Sequence, residues 1–187
     1  PATLPSTVTN LDAAFWGSYG SIGSNIGLWD TSNVTTMSAT FREAHNFNQD
    51  ISGWNTANVQ YMGQMFYVAD AFNQDIGNWN VGNVVDMSNL FNNAHSFNQD
   101  IGNWNVSKVQ TFQLMFGDAW AFNQDIGGWN TSSATNMSYM FMSAVHFNQD
   151  ISGWNVSHVT EFQHMFNNAQ AFNSPLTIRR RMSSAIC

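Results

Sequence analysis

Six tryptophans, Trp29, Trp54, Trp79, Trp104, Trp129 and Trp154, stand 25 residues apart without one insertion or deletion. The string Phe-Asn-Gln-Asp-Ile recurs word for word at 47–51, 72–76, 97–101, 122–126 and 147–151, each copy ending three residues before a tryptophan. A fixed period of this length excludes an ordinary globular domain. It calls for a stack of units, none stable alone, each burying its apolar side against the next.

Aligning the units in columns separates core from surface. In the second copy the apolar columns are Val59, Met62, Met65, Phe66, Ala69, Phe72, Ile76 and Trp79. The 3, 4, 3 spacing from Val59 through Met62 and Phe66 to Ala69 predicts one face of a short helix. The following Asn73-Gln74-Asp75-Ile76 reads as a short extended segment, closed by a turn at Trp79-Asn80. The expected fold is therefore an α/β solenoid, a leucine-rich-repeat-like right-handed coil with one short parallel strand and one short helix or helical turn per repeat. Strands of successive coils would pair about 4.8 Å apart. The tryptophans share the spacing of the core residues and are expected inside.

Along the chain, residues 1–10 read as a Pro/Thr/Ser-rich leader or linker and 11–28 as a degenerate N-terminal capping repeat. Counting back by 25, Trp16 takes the place of Phe41, Tyr19 of Ala44, Ile22 of Phe47 and Ile26 of Ile51. Regular repeats fill 29–178, and a basic tail occupies 179–187. In the sixth copy Pro175 replaces the aspartate of the motif, which is expected to end the regular ladder.

Charge excludes several function classes. Only 9% of residues are charged, against roughly 25% in typical soluble proteins. Of five basic residues, three are Arg179, Arg180 and Arg181, so the repeats offer no footprint for nucleic acid or anionic lipid. No apolar run approaches the length of a spanning helix, so no membrane insertion is expected. The one cysteine, Cys187, rules out an internal disulfide framework and a cysteine-based metal site. No nucleophile, phosphate-cradle or metalloprotease string occurs, and no enzyme activity or cofactor is expected.

The string FNQDIxxWNVxxVxxMxxMFxxAxxFNQDI resembles the BspA-like leucine-rich surface-protein repeat over residues 26–173. That resemblance implies a non-catalytic cell-surface or secreted protein that mediates adhesion or other protein contacts. The expected partners are a protein or glycan at a cell surface, in an extracellular or cell-surface location. An alternative is a structural protein that self-associates through its coil ends in a larger complex or filament.

Two sets of residues are candidates for a site. Columns that vary between units hold Trp120, Tyr139, Tyr61, Tyr67 and Met142, aromatic and apolar side chains of the kind that anchor interfaces. The invariant row Asp50, Asp75, Asp100, Asp125 and Asp150 would bring carboxylates together at the coil spacing. Each accepts a backbone N–H or an indole N–H in the following turn, or the row holds cations such as Ca²⁺, or some of the carboxyls have raised pKa values. His45 and His95 share a column two units apart and are expected to be separate surface histidines.

Overall fold

The computed structural model describes residues 4–18 and 22–173. The units do stack in phase, yet the architecture is not the expected α/β solenoid. Among the described residues the one regular element is a 3₁₀ turn at Ile26–Leu28. The expected strand at residues 73–76 is absent, and the only β-pairing among the described residues is a set of isolated parallel bridges at another column, running Asn10 to Thr36, Tyr61, Asp86, Thr111, Asn136 and Glu161 in turn. Most of the backbone is turn and irregular chain.

Hydrogen bonding explains why the 3, 4, 3 pattern makes no helix. From Met62 to Ala69 alternate residues serve different partners. The amides of Met62, Gln64, Phe66 and Val68 donate to the carbonyls of Asp86, Ser88, Leu90 and Asn92 in the next unit, at 2.8–3.1 Å. The amides of Met65, Tyr67 and Ala69 instead donate three residues back, to Met62, Gln64 and Phe66. Linked three-residue turns bury the same positions as a helix would, without one i to i−4 bond. They are held open by left-handed residues at two columns of each unit, such as Gln64 (φ 61°) and Val68 (φ 56°). A right-handed helix cannot pass through such residues, each of which costs roughly 1 kcal/mol. In return their own amides make bonds to the next unit, as Gln64 does to Ser88 and Val68 to Asn92.

The missing strand has a second cause. At the Asn-Gln columns side chains take the place of backbone partners. Asn73 N–H donates to Asn48 Oδ1 at 2.9 Å, while Gln74 Nε2 donates to both the carbonyl and the Oδ1 of Asn48. The same set recurs at Asn98, Asn123 and Asn148. Each unit is thus tied to the one before through amide side chains rather than a backbone ladder.

Inside the units, aromatic columns form the core. Phe66 and Phe72 stack at 3.8 Å within one unit, and Phe66 stacks on Phe91 of the next at 5.6 Å. Trp54, Trp79, Trp104, Trp129 and Trp154 are buried, and each indole N–H donates to the carbonyl of an isoleucine one unit back, as Trp104 does to Ile76 at 3.1 Å. Backbones approach closely beside this column: a Cβ at Gly102 would lie 2.5 Å from the Asp125 carbonyl oxygen.

The first unit corrects the count. Phe15, not Trp16, stacks on Phe41, at 5.3 Å. Ile26 nevertheless holds the place of Ile51, since its carbonyl accepts the Trp54 indole. One extra residue therefore sits between Phe15 and Ile26. Tyr19, Pro175 and the tail at 179–187 lie outside the described residues. Leu4 and Val8 pack against the core.

Candidate functional site

Each unit has two kinds of perimeter. On the side of the Asn-Gln-Asp motif the Asn and Asp side-chain oxygens accept backbone amides that shape the stack and its turns. Asp75, Asp100 and Asp125 accept the amide of the glycine two residues on at 2.9–3.0 Å, and Asp50 and Asp150 accept that of a serine. The row thus adopts the turn-forming arrangement that was one of its three readings. At Asp50 the Ser52 hydroxyl and amide, and at Asp150 the Ser152 amide and hydroxyl, hold the carboxyl below its ordinary value. Both carboxylates are exposed. No group of three or more His, Cys, Asp or Glu among the described residues has an arrangement fit to hold a metal ion. A second row behaves alike: Asn55, Asn80, Asn105, Asn130 and Asn155 each accept the amide two residues on.

The other side consists of the outward residues of the turn segments 36–46, 61–71, 86–96, 111–121, 136–146 and 161–171. All five aromatic and apolar candidates fall here. Trp120 and Tyr61 are each 47% exposed, whereas Tyr67, Tyr139 and Met142 are half-buried. They share this turn face without forming one cluster. Instead, Tyr67, Trp120 and Tyr139 each meet a polar neighbour in an adjacent unit: Arg42, His95 and His164.

Three such contacts were not foreseen as sites. The Arg42 guanidinium lies 4.8 Å from the ring centroids of both Trp16 and Tyr67, a cation held between two aromatic faces. Its Nε donates to Glu43 Oε1 at 3.1 Å and its Nη1 to Gln64 Oε1. The Trp16 indole, then Arg42, holds the Glu43 carboxyl below its ordinary value. Farther along, Asp70 accepts from Nδ1 of both His45 and His95, the latter at 2.6 Å. The two histidines, expected to stand apart, are joined by the carboxylate of the unit between them.

His95 then stacks on Trp120, ring centroids 3.9 Å apart, and His146 Nδ1 donates to the Trp120 carbonyl at 2.7 Å. Trp120 is in this way both half-exposed and held in place. Tyr139 has His164 beside it at 5.1 Å. The row His45, Asp70, His95, Trp120 was visible as positions 25 apart, but Asp70 was not placed between the histidines. The Trp16–Arg42 pairing becomes visible only once the extra residue of the first unit is counted.

Charge on the turn face is one-sided. Arg42 is its one arginine or lysine, against Glu43, Asp70, Asp86, Asp118 and Glu161. Lys108 lies elsewhere on the perimeter, with Nζ 2.7 Å from Asn83 Oδ1.

A family model described as Mycoplasma protein of unknown function, DUF285, matches residues 5–85 and again 73–179. The search of curated proteins gives no match.

Proposed function

The chain belongs to the DUF285 repeat family, and on that premise we propose that it is a non-catalytic binding module that holds a protein or glycan partner on its turn face. One observation carries this reading. The unit-to-unit variation in aromatic residues is concentrated on the side where side chains are not committed to building the stack, and Trp120 is presented there half-exposed and braced by His95. An aromatic side chain already fixed in place loses little conformational entropy on contact, which favours its use as an anchor. The resemblance to BspA-like surface repeats and the low charge support a secreted or cell-surface setting with a role in adhesion.

Adhesion of protein-coated beads to cultured epithelial cells tests this. Beads carrying Trp120→Ser with Tyr139→Ser should lose most of their adhesion while the soluble variant keeps its far-UV circular dichroism and melting temperature. Equal adhesion of variant and parent, or no adhesion by the parent, would refute it.

A second reading is end-to-end assembly. It is favoured by the way each unit's turn amides, such as those of Met62, Gln64 and Phe66, donate to carbonyls of the next unit. Light scattering that rises with concentration, unchanged by the Trp120 and Tyr139 substitutions, would select it.

A further inference from the structure

We infer that the partner of the turn face is a cationic protein segment, rich in arginine or lysine, with Trp120 as its anchor. This rests on the binding-module reading above. Two independent observations select a cation. The half-exposed aromatics share a face with Asp86, Asp118 and Glu161, and its one arginine or lysine, Arg42, is already paired with Glu43. Complementary charge is what steers partners and excludes wrong ones. The second observation is how this face treats the one guanidinium it already has. Arg42 is gripped between Trp16 and Tyr67 and paired with Glu43, so this face already holds a guanidinium by aromatic rings and a carboxylate. An anionic partner would meet the carboxylates, and the Asn-Gln-Asp side offers no exposed large aromatic.

The test is fluorescence anisotropy of labelled nine-arginine, nine-lysine and nine-glutamate peptides and a labelled neutral hexasaccharide with the full chain. Two charge-matched triple variants separate the faces. Asp86→Asn, Asp118→Asn, Glu161→Gln neutralises the turn face; Asp75→Asn, Asp100→Asn, Asp125→Asn neutralises the opposite row while keeping each amide acceptor. The cationic peptides should bind and weaken as salt rises. The turn-face triple should weaken them about tenfold or more, the opposite triple less than about threefold, and Trp120→Ser about fivefold.

Equal losses in the two triples would overturn the inference, because net charge alone would then account for binding. So would failure of every cationic probe to bind. If the hexasaccharide binds and Trp120→Ser abolishes it, the cationic partner is refuted while the turn-face reading stands; if bead adhesion is also untouched by Trp120→Ser with Tyr139→Ser, both fall.

Discussion

Trp104→Ala should destabilise the protein far more than Trp29→Ala, and the difference measures the stack. Trp104 is 4% exposed, its indole donates to the Ile76 carbonyl at 3.1 Å, and Phe91 lies against it at 6.3 Å. Truncating a buried tryptophan costs about 3–5 kcal/mol. The Ile76 carbonyl adds little to this, because it keeps the Trp79 amide at 3.1 Å. At about 2–4 °C per kcal/mol for a chain of this size, the melting temperature should fall by roughly 10 °C. Trp29 is half-buried, stacking on Trp54 at 6.3 Å and meeting Phe15 at 5.6 Å. With a smaller buried area to lose, its truncation should cost about half as much. Trp104→Phe keeps most of the ring and loses the indole bond, for about 1–2 kcal/mol. Calorimetry gives the melting temperatures, and urea titrations followed by both circular dichroism and fluorescence show whether the array unfolds as one unit. Equal losses at Trp29 and Trp104 would refute the stacked-core account.

Val68→Asn should stabilise the protein by about 0.5–1 kcal/mol in urea titration, since a β-branched residue is held at φ 56° where asparagine is better tolerated, as Asn93 and Asn168 already are in the same column. Loss of stability would show that Val68 packing outweighs the backbone strain. The Asp50 carboxyl should titrate below its ordinary value in carbon-detected NMR, and Ser52→Ala should move it back up. Its folded-state value is the lowered one, so its contribution is present above the ordinary range and is lost as pH falls through the folded value. Acid lability should therefore emerge below, not within, the ordinary carboxylate range. An unchanged midpoint in Ser52→Ala would remove the hydroxyl as the cause.

The columns were legible in the sequence because identical residues 25 apart must stack, and the buried phenylalanines and tryptophans follow from that alone. Local conformation was not. Val59, Met62, Phe66 and Ala69 are spaced alike for a helix and for linked three-residue turns, and nothing in the identity of Gln64 or Val68 announces a left-handed backbone. The extended reading of Asn73–Ile76 failed because Asn48 Oδ1 and Gln74 Nε2 occupy the partners that a strand would have used. At the turn face, Trp120 and Tyr61 stood out as variable aromatic positions and are the more exposed of the candidates. The Arg42–Trp16 contact was not foreseen for a different reason: Trp16 was placed one residue out, opposite Phe41 instead of Arg42.

The alternation of bonding in the turns has an electrostatic result. The carbonyl of Tyr61 accepts from Met37 in the unit before, and the amide of Met62, in the same peptide group, donates to Asp86 in the unit after. That peptide plane therefore lies along the stack, as do those joining Gly63–Gln64, Met65–Phe66 and Tyr67–Val68. Repeated through the units, they form four files of peptide dipoles pointing the same way. The Asp70–Ala71 peptide and the bonds through Gln60 run in the opposite sense and cancel part of it. Along the turn face the files point their positive ends toward the C-terminal units, the reverse of an α-helix, whose amino end is the positive one, while on the motif side the Asn73 amide and the Asn48 carbonyl point the other way. The turn face thus directs amides one way along the stack and carbonyls the other, independently of any side chain it carries.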